Sequence, residues 1–362
     1  MGYTERLSLI ASIEEQRKSH VFCYLTSLRP NVPSVMAEDQ VRVFFDHLKL
    51  LPKGGVEQLD IFLASNGGST TVPWRLVALF REFTRKLAVL IPYRAYSAAT
   101  LLSLGADEIV MHPFAELGPI DPTVSNEFNP TDPGGGRVGI SVEDVKAYVH
   151  FIRTTVGITH EDELVQAIKI LAEKVHPLAL GNVERFLSQS RLIAKRILRT
   201  HMANSDSHII DEIVENMASK LYFHGHPINR KEARLDLHLK VVETVGAELE
   251  DTMWELYCDF EAEFENQSVF DPAGMLALKA TPPAAPPTTP ATTPAPGQQL
   301  LHATPSPTLE CKLLHAMIES RTHSSRHTTL HRFTPLQLAP GQQAIKDEIL
   351  NQGWSHLKAP MA

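Results

Sequence analysis

The sequence predicts an α/β protein built on a mainly parallel sheet with helices on both faces. Three observations lead there. Apolar strand-like runs, HVFCYLTS, LDIFLAS, LAVLIPY and EIVMH, alternate with amphipathic helical segments between His20 and His112. Those runs are near-continuously apolar, as strands covered on both faces are. The 362 residues, 43% of them hydrophobic, are enough to bury such a sheet in one large domain.

The elements follow in order. Thr4 to His20 reads as an amphipathic helix with Thr4 as a cap, within an N-terminal unit spanning 1–20. HVFCYLTS is the first strand, and MAEDQVRVFFDHLKLL is a helix carrying Val41, Val43, Phe44, Phe45 and Leu48. LDIFLAS is the second strand and runs into Asn66-Gly67-Gly68; a helix from Val72 to Phe83 follows, with Pro73 in its first turn. LAVLIPY is the third strand, Ser97 to Leu104 the next helix, and EIVMH the fourth strand. TVSNEFNPTDPGGGRVG is a polar loop with three glycines, long enough to cover a site. Ser141 opens a helical part with Glu143 and Asp144 in its first turn; Asp162 to Glu173 and Pro177 to Thr200 are further helices. Strand-like and short helical pieces occupy Leu221 to Val242, and Glu248 to Phe264 is a last helix, closing a main domain at 21–265. From 277 to 362 the chain is Pro/Thr/Ala-rich, then His/Ser/Thr-rich. It is expected to be largely disordered, with short helices near Leu309 to Ser320 and Gln343 to Leu350.

The bulk numbers exclude several classes. A net charge of -8 argues against a nucleic-acid binder. Cys23, Cys258 and Cys311 lie far apart, so neither a disulfide framework nor a cysteine zinc site is expected, and a reducing compartment fits. No apolar run is long enough to span a bilayer. The N-terminus lacks a secretory core, and Arg6 stands where acylation would need Ser or Thr. A cytoplasmic protein is expected. The histidines show no HExxH-like spacing, so neither a metal nor a cofactor is expected.

Ser97 carries the chemistry. It stands where an apolar strand meets a small-residue helix, among Ala95, Ala98 and Ala99, which let a substrate backbone approach. Gly67 and Gly68, one strand earlier, can offer backbone N–H groups to an oxyanion. A hydroxyl and an oxyanion site that converge suggest acyl transfer, most simply peptide hydrolysis. Taken alone, Ser97 reads equally well as a helix cap.

SNGG, YSAATLLSLGADEIVM and LGPIDP, with HPLALGNVERFLSQSRLIAKRIL and FHGHPINRKEA later, resemble the serine dehydrogenase proteinase family of the Clp-protease/crotonase superfamily. The similarity runs from Glu14 to Phe264. No GxGxxG opens a helix after a strand, so a dehydrogenase is not implied. The resemblance implies a spiral of ββα units and a protease-like site. Ser97 takes the nucleophile position, and Gly67, Gly68 and Ala98 supply oxyanion N–H groups. The base stays open. Asp121 of LGPIDP stands where Clp proteases carry a histidine, so His226 or His224 as base with Asp121 orienting it is one arrangement. A Ser–Lys dyad, as in signal peptide peptidase A, is the other, with Lys146, Lys169 or Lys174 as the lysine. The resemblance also implies peptide or protein substrates, and a homo-oligomer with 141–200 as its contact surface. A crotonase-like enzyme acting on acyl-CoA thioesters and an inactive, partner-binding relative are the alternatives.

Overall fold

The computed structural model describes residues 2–120, 123–124, 127–132, 136–202, 206–220, 226–280, 308–339 and 342–359. The first half alternates as the sequence predicts. Helix α1 (Tyr3–Arg17) leads to β1 (His20–Thr26), α2 (Asp39–Leu48), β2 (Val56–Ala64), α3 (Thr71–Arg81) and β3 (Thr84–Ile91). After β3 come a two-residue strand β4 (Arg94–Ala95), α4 (Ala98–Ser103), β5 (Glu108–Met111) and another short strand, β6 (Glu116–Leu117). A hairpin of β7 (Thr123–Val124) and β8 (Ile140–Ser141) opens α5 (Val142–His150), which continues as a π-helical turn over Phe151–Thr155. Then follow α6 (Glu161–Lys174), α7 (Pro177–Leu198), α8 (Ser207–Glu215), β9 (Ile228–Asn229), α9 (Arg230–Leu235), α10 (Ala247–Glu263) and α11 (Pro272–Ala280). Three long strands complete the chain: β10 (Leu309–Glu319), β11 (His323–Ala339) and β12 (Gln342–Lys358).

Strands β1, β2, β3 and β5 pair in parallel and form one side of a seven-stranded sheet, with β1 in the middle and β5 at the edge. A strand's period of two divides its side chains between two cores. Val21, Cys23 and Leu25 of β1 face α1 and α10, against Ile10, Ile13, Met253 and Phe260. Phe22 and Tyr24 face the other way, in one cluster with Phe44, Leu76, Phe80 and Leu101 of α2, α3 and α4. Each buried Leu, Ile or Phe stabilises the fold by about 1.5–3 kcal/mol relative to leaving it in water. The layers are therefore helix, sheet, helix.

A second, shorter ladder runs beside the main sheet. Met36 bridges Gly68 and Ser65 bridges Ala95, both in parallel. β4 pairs in parallel with β6, and β9 closes this small sheet antiparallel to β6. Each long strand is thus followed by a short one and then a helix, the spiral of ββα units that the resemblance implies.

The C-terminal expectation is corrected over 308–339 and 342–359. These residues are not a disordered tail, and neither short helix forms; β10, β11 and β12 make an antiparallel meander that joins the main sheet at β1. Low apolar content misled because order here rests on pairing and ionic contacts more than on aliphatic burial. Residues 281–307, the Pro-rich stretch, lie outside the described residues. The main domain also extends past 265, since Phe270 and Leu276 are buried against Leu309, Leu313 and Phe333.

Arg6 ties the meander to the body. Its guanidinium is fully buried and reaches Glu319 of β10 with two nitrogens, at 2.8 and 2.9 Å. It also reaches Asp259 and Glu263 of α10 at 2.6 Å each, and lies 4.3 Å from the centre of the Phe260 ring. Ser324 of β11 donates to Glu319 at 2.6 Å, so four elements, α1, α10, β10 and β11, share one polar node.

His47 is the second tie. It is 4% exposed, its Nε2 lies 2.8 Å from Ser325 Oγ, and that oxygen lies 2.8 Å from His356 Nδ1. Burial first, then the neighbouring His323 and His356, push its pKa down to about 4, with Asp46 opposing. The fold holds the ring neutral, whereas the unfolded chain takes up the proton near 6.5. Protonation therefore favours unfolding, and stability is lost as pH falls from about 6.5 towards 4. The group accounts for roughly 3 kcal/mol of that loss. Melting curves of the wild type and His47→Gln, run near neutrality and at about pH 5, should show a smaller acid shift in the variant. Equal shifts would assign the acid sensitivity to other groups.

Candidate active site

β4 and the turn after it deliver Ser97. Ser65 N–H donates to the Arg94 carbonyl at 2.8 Å and Tyr96 N–H to the Ser65 carbonyl at 2.9 Å, so the end of β2 aligns the chain entering the serine. Thr100 fixes the helix beyond it: its Oγ1 lies 2.7 Å from the Ala95 carbonyl and 2.8 Å from that of Gly118. Between these clamps Ser97 adopts φ 53° and ψ -113°, outside the regions L-residues favour. Such a conformation costs of order 1–3 kcal/mol and persists only where the surroundings impose it. It is the kind of tight strand-to-helix turn that can lift a hydroxyl clear of the backbone. Ser97 is half-buried, and its hydroxyl has no hydrogen bond among the described residues.

Gly67 packs directly on this turn. At φ 92° it takes a conformation that suits glycine, and a β-carbon there would lie 2.5 Å from the Tyr96 carbonyl oxygen and 2.9 Å from Ser97 Cβ. A β-carbon at Gly68 would lie 2.5 Å from the backbone of Met36. Both glycines are required by close approach as well as by backbone angle.

The two glycines differ as donors. Gly67 N–H donates to Ser65 Oγ at 3.0 Å, and that oxygen lies 2.7 Å from Thr26 Oγ1. Its N–H is therefore engaged within the turn in this structure, whereas the sequence expectation gave it to an oxyanion. Met36 N–H donates to the Gly67 carbonyl at 2.8 Å, and Ser69 N–H to the Met36 carbonyl at 2.9 Å. In a parallel ladder those bonds leave the Gly68 N–H directed away from Met36. Neither Gly68 N–H nor Ala98 N–H, the first of α4, has an acceptor among the described residues. Among the described residues the Ser97 hydroxyl and the N–H groups of Gly68 and Ala98 thus have no partner, and Gly67 brings the two turns that carry them into contact.

The candidates for the base are dispersed. Asp121 and His224 lie outside the described residues, though the chain leading to Asp121 is fixed: Ile120 N–H donates to the Met217 carbonyl at 3.1 Å, and Ser190 Oγ donates to the Ile120 carbonyl at 2.7 Å. His226 Nε2 lies 2.8 Å from Glu232. Lys174 ends α6, a helix without a buried residue, and is exposed. Lys146 stands half-buried on α5, whose start is tethered through β8 and β7 to the chain just beyond Ile120. No histidine or lysine among the described residues is hydrogen bonded to Ser97.

Sequence reasoning missed Tyr96, Glu116, Ser65 and Met36. Tyr96 donates to Glu116 at 2.6 Å, with Arg94 4.9 Å from its ring centre. Burial, and then this bond, push the Tyr96 pKa up to about 12, so it stays a donor. The signal for Ser65 was in view, two residues before Gly67. Met36 gave none, because its part is played by its backbone.

Residues 3–131 match the family model described as ClpP-like SDH-type serine proteinase, which bears out the resemblance over that stretch and ends well short of Phe264. Two uncharacterised proteins of Methanocaldococcus jannaschii are similar. One is 28% identical over 126 residues, 33% of this chain and 42% of the relative. The other is 31% identical over 64 residues, 18% of this chain and 22% of the relative. The chain thus spans less than half the length of either. Among solved structures, two variants of a membrane-bound stomatin-specific protease, one in complex with a substrate peptide, overlap at TM-scores of 0.36 and 0.38 with 13% and 14% identity. They cover 65% and 64% of this chain and 83% and 77% of their own, an overlap too loose to assign any residue of the site.

Proposed function

We propose that this chain, matched over residues 3–131 by the ClpP-like SDH-type serine proteinase family, is a serine peptidase working through an acyl-enzyme on Ser97. The observation that carries the reading is the convergence at one strained turn: Ser97 at φ 53°, with Gly67 packed against its β-carbon. Ser97 Oγ attacks the scissile carbonyl as its proton passes to a base. The oxyanion is received by the N–H groups of Gly68 and Ala98. The tetrahedral species collapses, the amine leaves with the proton, and water then releases the acyl group by the same route.

Lys146 is the base this reading favours. A catalytic lysine must be partly desolvated to act neutral. Lys146 is half-buried on the helix tethered beside Ile120, whereas Lys174 is exposed on a helix without a buried residue. An Asp121–His226 pair is the competing assignment. The apolar side chains of α6, with Val165 and Ile170 more than half exposed, support a contact between copies over 141–200.

The test is labelling by a fluorophosphonate probe. The wild type should be labelled at Ser97, and Ser97→Ala should lose the label entirely. Lys146→Ala should slow it by roughly 10²–10⁴-fold, while Lys174→Ala and His226→Ala stay near the wild type. A wild type that is never labelled would overturn the peptidase reading, and a slow His226→Ala with a normal Lys146→Ala would reassign the base.

A further inference from the structure

The loop between β1 and α2 forms one wall of the Ser97 turn. It ends at Met36, whose backbone bonds to Gly67 and Ser69 hold the glycine pair from the side opposite Ser97. Part of what holds that loop comes from far along the chain, beyond residue 265. Phe270 N–H donates to the Pro30 carbonyl at 3.1 Å, and Asn31 Nδ2 donates to the Phe270 carbonyl at 3.1 Å. Val32 is buried in one cluster with Phe270, Leu276, Leu309, Leu313 and Phe333.

Gln40 of α2 flanks Met36, donating to the Val35 carbonyl at 2.9 Å and accepting from Ala37 N–H at 3.0 Å; from the meander, the polar contact nearest Met36 is made by His315 of β10. Its Nδ1 lies 3.0 Å from the Pro33 carbonyl and 3.3 Å from Ser34 Oγ, and its Nε2 lies 2.7 Å from Thr329 Oγ1 of β11. Its own carbonyl accepts from Ser27 N–H at 2.9 Å, so strand and side chain grip both ends of the loop. A carbonyl can only accept, so Nδ1 carries a proton, and Nε2 is left to accept from the Thr329 hydroxyl. Burial, the largest influence, pushes the His315 pKa below the ordinary histidine value, as do His327 and His331, against the Pro33 hydrogen bond. The neutral ring is the form in place.

We infer that His315 is a positioning residue for the Ser97 site, acting from the C-terminal meander through Pro33, Ser34 and Met36 on the Gly67–Gly68 turn. The inference rests on the peptidase reading for its activity consequence, but the mechanical coupling does not. Gly68 N–H is useful only where the oxyanion will stand, and displacements of about 1 Å in such sites cost roughly 10²-fold in rate. His315 touches neither the serine nor a substrate.

The experiment uses the full-length protein with three side chains at 315. His315→Ala removes the Pro33 contact. His315→Asn restores a side-chain N–H close to the place of Nδ1. Fluorophosphonate labelling of Ser97 should fall about 10²-fold in the alanine variant and recover towards the wild type in the asparagine variant. Hydrogen exchange should rise over 33–37 and 66–69 in His315→Ala while α10 stays protected. Labelling at the wild-type rate in His315→Ala would overturn the inference. So would slow labelling with exchange raised across β10 and β11 but unchanged at 66–69, which would mark a merely structural role. If the wild type itself is not labelled, the peptidase reading fails alone. Exchange at 66–69 then decides the coupling: a rise supports it and no change refutes it.

Discussion

Arg6→Ala should destabilise the protein by about 3–5 kcal/mol, a fall in melting temperature of roughly 10 °C. The guanidinium is fully buried and is shared by Glu319, Asp259 and Glu263, the first two of them buried as well. Removing it leaves like charges facing one another with little water to screen them, the costly way to break a buried ion pair. Arg326 approaches Glu263 and Glu319 from β11 and can take up part of the charge, which bounds the loss from above. Arg6→Lys should recover part of the loss, since one ammonium cannot match two nitrogens on Glu319 and the contacts to α10 together. The check is thermal or denaturant unfolding. A shift of less than about 2 °C would mean that the carboxylates protonate or rearrange at little cost and that the node is not what fastens the meander.

Gly67→Ala should remove Ser97 labelling almost completely. The added methyl would stand 2.5 Å from the Tyr96 carbonyl oxygen and 2.8 Å from Ala98 N, closer than unbonded atoms allow, so the turn must move. The backbone angle adds strain of order 1–3 kcal/mol. Labelling should fall by at least about 10²-fold. Gly54→Ala separates the two effects. Gly54 has almost the same φ, 95°, yet a β-carbon there meets nothing within 4 Å. It should lower stability and leave labelling intact. Equal labelling in the two variants would show that the close approach of Gly67 to Ser97 has no part in the reaction.

The parallel half of the fold was legible because its strands are apolar on both faces. HVFCYLTS and LAVLIPY allow few other placements; β1 lies within the first, and β3 overlaps the second, beginning three residues before it. Ser97 and the glycine pair were legible for a related reason: small residues at a strand end constrain what the chain can do next. The separate duties of Gly67 and Gly68 were not, since they depend on which N–H meets Ser65 Oγ, a contact set by the fold. The meander was missed because its buried positions include Ser324, Ser325, Thr329 and Glu319. Hydropathy scores these as surface, while cross-strand bonds and the Arg6 cluster satisfy them inside. The same blindness hid Arg6, noticed in the sequence only for what it excluded.

The pairing of β10 with β1 has a consequence for how the polypeptide is made. Arg6 and Glu319 are 313 residues apart, and β1 leaves the ribosome long before β10. At about 5–20 residues per second, roughly 15–60 s pass before its partner exists. For that interval β1 has an apolar strand edge with unpaired amides, a template for any passing strand. Late closure of a long-range sheet is slow in itself. The nascent chain therefore has a period of vulnerability whose end is set by its last strands, and holding chaperones would matter most to this protein before Glu319 has emerged.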